Sequence, residues 1–184
     1  MSKRIAFLTA AAFGALALTA TIVAPVSAQE KTVMVGGAAM FPSKNIIQNA
    51  VNSKDHTTLV AAVKAAGLVT TLEGRGPFTV FAPTNAAFAK LPAGTVDTLV
   101  KPENKATLTK ILTYHVVPGR LEASSLTDGK KLKTVEGEEL TVKKSGDKFM
   151  IVDAKGGSST VTISNVNQSN GVIHVVDTVL MPAS

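Results

Sequence analysis

Near its C-terminus the chain reads Asn170-Gly171-Val172-Ile173-His174-Val175-Val176-Asp177-Thr178-Val179-Leu180-Met181-Pro182, and this stretch decides the fold. Along an extended chain, alternate side chains point to opposite faces. Val172, His174 and Val176 therefore share one face, while Ile173, Val175 and Asp177 share the other. Both faces are apolar, the pattern of a strand covered on both sides. His174 in such a strand is expected to be a buried, neutral, hydrogen-bonded ring, because an unpaired buried polar group costs about 1–3 kcal/mol. Asp177 is expected to accept backbone or hydroxyl hydrogen bonds where the strand bends. The two side chains point apart and do not form half of a catalytic triad.

The period-two pattern extends upstream. Leu132–Val135, Leu140–Lys143, Phe149–Val152 and Val161–Ile163 read as short strands separated by Gly, Asp, Ser and Asn turns, and Val179–Met181 extends the last strand. Before Leu126 the spacing becomes helical. Ser43 is the expected cap of a helix carrying Ile46, Ile47, Ala50 and Val51. Asp55 opens a second, with His56 solvated in its first turn, Leu59, Val60, Val63 and Ala66 on one face, and Gly67 as a left-handed end cap. Phe78–Ala82 reads as an early strand stopped by Pro83, after which Thr84 caps a short helix carrying Phe88. Gly94 to Leu99 forms another helix, and Asn104 caps a longer one whose apolar stripe is Leu108, Ile111 and Leu112. Helices in the front half and strands in the back half indicate an α+β domain. Residues 43–184 form that domain, and residues 29–42, with Gly36-Gly37 and Pro42, read as a loosely ordered extension.

The first 28 of the 184 residues read as a secretory signal: Lys3 and Arg4, an apolar run from Ile5 to Ala24, then Val26-Ser27-Ala28. Cleavage after Ala28 removes two of the 19 basic residues and none of the 13 acidic ones, lowering the net charge from +6 to +4. The expected location is the periplasm or the extracellular medium. Beyond Ala28 no apolar run approaches the roughly 18 residues of a membrane span. The absence of cysteine excludes a thiol nucleophile, a lipid anchor and cysteine-ligated metal. Lys130, Lys131, Lys133, Lys143 and Lys144 cluster, but Glu136, Glu138 and Glu139 lie between them. Few aromatics remain after the leader (Phe41, Phe78, Phe81, Phe88, Tyr114 and Phe149), too few for base-stacking platforms in a basic groove. No nucleic-acid partner is expected, and the lysines read as solvated strand edges.

Searches for chemistry return little. There is no Gly-x-Ser-x-Gly elbow; Gly129-Lys130 has Ser124 where a phosphate loop needs its first glycine, and Gly74-Arg75-Gly76 is a turn. His56, His115 and His174 lack the local spacing of a metal site. Asn167-Gln168-Ser169 fits a glycosylation acceptor but reads as a solvated turn. No catalytic residue, cofactor or metal is expected.

Three segments resemble fasciclin domains. Phe78-Thr79-Val80-Phe81-Ala82-Pro83-Thr84-Asn85-Ala86-Ala87-Phe88 is similar to the family's first signature, and the stretch from Asn170 to Pro182 is similar to its second. Between them, Leu112-Thr113-Tyr114-His115-Val116-Val117-Pro118-Gly119 resembles its tyrosine–histidine motif. The resemblance implies a fasciclin-like wedge of two small β-sheets with helices packed on one side, serving as an adhesion or interaction module and not as an enzyme. It implies a structural role for Thr84, Asn85, Phe88, His174 and Asp177, and partner binding through Tyr114, His115, Val116 and Val117. The sequence alone leaves two conformations open at that motif. If the helix continues, His115 follows Leu108 by seven residues and joins the buried stripe; if the chain is already extended, Tyr114 and His115 face opposite sides. The segment Ser164–Ser169 lacks the acidic residue of the animal integrin-binding motif. The expected function is adhesion to a cell-surface or extracellular protein or glycan, as a monomer. The alternative is a periplasmic carrier of a small apolar ligand, or a stress-related accessory protein, with Met40, Phe41 and Met150 as lining.

Overall fold

The computed structural model describes residues 31–183, so the expected leader at residues 1–28 lies outside the described residues. The chain begins with a hairpin of β1 (Val33–Val35) and β2 (Ala38–Met40), turned at Gly36 and Gly37. Both glycines have positive φ (56° and 75°), as a tight two-residue hairpin turn requires. Residues 31–42 of the segment expected to be loose are thus ordered, and they bury Val35 and Met40 in the core.

A helical layer follows: α1 (Ile46–Ala50), α2 (Thr57–Ala66) and α3 (Val69–Glu73). The cap of α1 is Asn45 and not Ser43. The Asn45 side chain accepts from the Gln48 amide at 2.8 Å while the Gln48 side chain accepts from the Asn45 amide at 3.0 Å, a reciprocal box that Ser43 is too far upstream to make. Helix α2 buries Leu59, Ala62, Val63 and Ala66 at three- and four-residue spacing and ends at Gly67 with φ 74°. Asp55 lies in a single 3-10 turn, Lys54–His56, that leads into it.

Next come β3 (Phe78–Pro83), α4 (Asn85–Ala89), α5 (Thr95–Leu99), α6 (Lys105–Tyr114) and β4 (Val116–Pro118). The back half is β5 (Lys131–Lys133), β6 (Glu139–Ser145), β7 (Lys148–Val152), β8 (Ser158–Gln168) and β9 (Gly171–Val176). Val179–Met181 is not a strand; it packs onto the core as an irregular tail that buries Leu180.

Among the described residues, seven strands pair in the order β4-β3-β9-β8-β7-β6-β5. All six residues of β9 are buried, as a central strand covered on both faces must be. Strand β8 is the crease of the wedge. Its start pairs with β7 and most of its length with β9, with register shifts between Val161 and Ile163 and between Ile163 and Val166. Asn165 takes the bend with φ 57°. The crease separates two cores. One lies between the helices and β3/β9 and contains Val63, Val80, Leu108, Ile111 and Ile173. The other fills the inside of the second sheet, made by β5, β6, β7 and the start of β8, with Leu132, Leu140, Val142, Ile151 and, from β9, Val176. A hydrogen bond from the Val135 amide to the Val116 carbonyl (2.8 Å) brings the far end of the strand order back toward β4.

Candidate functional site

The two signature segments meet as neighbours. Strands β3 and β9 pair in parallel from Phe78 opposite Gly171 to Pro83 opposite Val176, joining parts of the chain more than ninety residues apart. The approach is close enough to require glycine at Gly171, where a Cβ would stand 2.1 Å from the Phe78 carbonyl oxygen. Thr84 caps α4 by accepting from the Ala87 amide at 3.2 Å, and Phe88 is buried behind it. Asn85 works on a different helix. Its Oδ1 accepts from the Thr58 amide (3.0 Å) and the Thr57 hydroxyl (3.2 Å), and its Nδ2 donates to the Lys54 carbonyl (2.8 Å), so it closes the open start of α2.

His174 is fully buried. Its Nε2 pairs with the Leu121 carbonyl at 2.7 Å, its Nδ1 accepts from the Asn165 amide at 3.4 Å, and its ring stacks on Phe81 with centroids 5.7 Å apart. Burial lowers its pKa and keeps it neutral. Asp177 accepts from the Thr160 amide (2.8 Å) and the Thr178 hydroxyl (3.1 Å) and stands 3.7 Å from Lys90 Nζ. Partial burial pushes its carboxyl up, but these donors and the lysine outweigh that and hold it below the usual range.

The tyrosine–histidine motif lies at the end of α6, with His115 as its C-cap in a right-handed helical conformation. All four side chains, Tyr114, His115, Val116 and Val117, are buried. Tyr114 donates its hydroxyl to the Glu139 carbonyl (3.3 Å) and accepts from the Ala154 amide (2.8 Å), and burial raises its pKa to about 12. His115 Nδ1 pairs with the Ile111 carbonyl at 2.8 Å and its Nε2 accepts from the Leu180 amide at 3.0 Å. Burial lowers the His115 pKa to about 4. Val116 and Val117 lie opposite Val80 and Thr79 in β4–β3 pairing. The motif is therefore a joint between α6, β3, the second sheet and the C-terminal tail.

The roles of three polar residues were not legible in the sequence. Asn170 Oδ1 accepts from the Ile46 amide (3.1 Å), while its Nδ2 donates to the Leu72 and Gly74 carbonyls (2.6 and 2.9 Å), tying the start of α1 and the end of α3 to the entrance of β9. Asn49 pairs with both backbone groups of Phe41 and with Gln168. His56 is buried at 3% exposure, contrary to its expected place in a solvated first turn. The 3-10 turn tucks it inward, where Nδ1 meets the Ser53 hydroxyl at 2.9 Å. Burial lowers its pKa, against a partly opposing pull from the Ala82 carbonyl. Its Nε2 has no partner in hydrogen-bond geometry. His56 lines an apolar cavity of about 40 Å³, shared with Val35, Met40, Ile47, Val63 and His115. Of the expected lining residues, Met40 is present there, Phe41 is partly exposed, and Met150 lies on β7 across the crease. Among the described residues no group of His, Asp or Glu converges as metal ligands do. Ser53 and His56 are both buried, and among the described residues no carboxylate hydrogen-bonds the ring to orient it as a general base.

The sequence profile described as "Fasciclin domain" matches residues 54–182. The chain belongs to the fasciclin family. It is 46% identical over 181 residues to Protein sll1483 of Synechocystis sp., covering 98% of this chain and 97% of that one. It is 39% identical over 138 residues to the immunogenic protein MPB70 of Mycobacterium bovis, covering 72% of this chain and 66% of that one. Against transforming growth factor-beta-induced protein ig-h3 of Sus scrofa it is 39% identical over 142 residues, 76% of this chain but 20% of that much longer protein. The fold matches a FAS1 domain pair from the insect cell adhesion molecule fasciclin I, with TM-score 0.68 at 17% identity, over 77% of this chain and 52% of that one. The fasciclin wedge of two sheets is thus present, creased at β8, and fasciclin domains are adhesion-related modules. No helix among the described residues is long and apolar enough to cross a membrane.

Proposed function

We propose that the protein is an exported, non-catalytic fasciclin module that acts as a monomer and makes cell-surface or matrix contacts with protein or glycan partners. One observation carries this reading: both signature segments and the tyrosine–histidine motif are spent on internal pairing, which leaves the outer surface as the part free to act. The leader-like first 28 residues support export. Residues Tyr114–Val117 serve adhesion in this reading by fixing the surface above them. Solid-phase binding of the folded mature chain to matrix proteins, polysaccharides and whole cells tests it. Saturable binding to at least one of these is expected, and uniformly null binding by a well-folded sample removes the adhesive function.

A second reading, a small-ligand carrier, is favoured by the apolar cavity with His56 Nε2 unpaired in its wall. The cavity's 40 Å³ is far below the roughly 300–1,000 Å³ of ordinary ligand pockets. A carrier would therefore have to part the β1–β2 hairpin from α2. Native mass spectrometry of protein from its own host separates the two readings: a stoichiometric adduct favours the carrier, a bare mass the adhesive module.

A further inference from the structure

The second sheet presents its outer face to solvent, and that face carries an ordered row of charge. Strand pairing places one lysine at each outward position along β6: Lys133 opposite Glu139, Lys131 opposite Thr141, Lys143 itself, and Lys148 opposite Ser145. All four are exposed. Alternate residues on a strand lie about 6.7 Å apart and neighbouring strands about 4.8 Å apart, so the lysines step diagonally across three strands at roughly 7–8 Å intervals over about 20 Å. Edge protection accounts for lysines on β5, which ends the strand order. It does not account for Lys143 and Lys148, which sit on β6 and β7 with neighbours on both sides. Lys131 pairs with Glu139 at 3.3 Å, whereas Lys133, Lys143 and Lys148 have no side-chain partner among the described residues. The acidic neighbours of the row are Glu139, Asp147 and Asp128, whose carboxylate accepts from the Lys144 amide at 2.7 Å, and the four lysines of the row outnumber them.

We propose that this row is the docking face for a linear acidic polysaccharide of the polyuronate type. The inference rests on the adhesive reading above and names the chemistry of its partner. An extended polyanion matches a straight row of evenly spaced point charges, and Thr141, Ser158 and Thr160 supply hydroxyls between and beside the lysines on the same face. A nucleic acid is disfavoured because no aromatic ring lies on this face for bases to stack on. A membrane is disfavoured because the exposed large apolar side chains, Met34, Phe41, Val51 and Val135, all lie outside these strands. Met150 and Val152, which do lie on this face, are only half exposed.

Affinity electrophoresis of the mature chain through gels containing polygalacturonate, with dextran as the neutral control, tests the proposal. Retardation by polygalacturonate alone is expected, weakening at least tenfold between about 50 and 300 mM salt as screening sets in. The triple variant K133E/K143E/K148E is expected to lose at least tenfold in affinity with an unchanged circular dichroism spectrum and melting temperature. A control of equal charge change on other exposed lysines, K31E/K64E/K101E, is expected to lose no more than threefold. Equal losses in the two variants, or no salt-sensitive retardation of the wild type, overturn the proposal. So does equal or tighter binding of single-stranded DNA or phosphatidylglycerol vesicles through the same lysines. If the stripe variant adheres to cells or matrix as well as the wild type does, the row is not the docking face although the adhesive function stands.

Discussion

His115 and His56 line the same cavity, yet the protein treats them differently. At His115 both ring nitrogens are engaged, and the ring joins α6 to the C-terminal tail through the Leu180 amide. At His56 one nitrogen meets Ser53 and the other is left without a partner. Both rings are kept neutral by burial. The contrast separates a polar group that organises the fold from one that is merely enclosed by it. An engaged pair of nitrogens fixes the relative position of two elements, whereas an orphaned nitrogen carries a desolvation cost with little return.

The largest effect should come from removing the engaged ring. His115→Ala strands the Leu180 amide and the Ile111 carbonyl and opens a cavity beside one already present. We expect a loss of roughly 3–5 kcal/mol, read as a lower midpoint in urea. A loss below about 1 kcal/mol would erase the distinction between the two histidines.

Next is acid. A histidine held neutral by a lowered pKa stabilises the fold fully above the pKa of the unfolded chain and progressively less below it. For His115 the window runs from 6.5 down to about 4, and its integral is on the order of 3 kcal/mol. His174 and His56, lowered in the same direction, steepen the decline. Urea midpoints should be flat from pH 8 to 7 and fall between pH 6 and 4. A midpoint constant down to pH 4.5 would show that the rings ionise freely in the folded state.

A smaller cost is expected for Asn85→Ala, roughly 1–2 kcal/mol, because the start of α2 loses its cap. Hydrogen exchange should then quicken at Thr57 and Thr58 first; quickening confined to α4 would assign Asn85 to its own helix instead. The smallest effect belongs to His56→Phe. It removes the orphaned nitrogen and keeps a ring of similar size against the cavity, so stability should stay within about 1 kcal/mol of wild type. A drop comparable to that of His115→Ala would mean that the Ser53 contact organises the hairpin after all.

What the sequence disclosed follows the range of the forces involved. The strand from Val172 to Val176, the stripe of α6, the Gly67 end cap and the Thr84 cap all depend on neighbours within a few residues, and all are present. The β1–β2 hairpin escaped notice because each strand has only three residues, and Gly36-Gly37 suggested looseness where it makes a tight turn. Asn85 resembles a local cap, yet its partners lie 27 to 31 residues upstream. Asn170 bonds to Ile46, 124 residues away, and nothing near it in the chain hints at that. His56 looked solvated because its helix was expected to begin at Asp55, whereas a 3-10 turn carries the ring inward under β1 and β2. At the tyrosine–histidine motif both conformations left open by the sequence buried at least one ring, and the fold buries both.

Strand β8, shared by both sheets and kinked where Asn165 departs from ordinary backbone geometry, has a mechanical consequence. A plate folded along one line resists flexing much as angle iron does, since neither flange bends without the other. In the proposed docking, the lysine-bearing flange acts as a stiffened template. A long flexible polymer settling on it loses its own freedom of motion, while the protein gives up almost none.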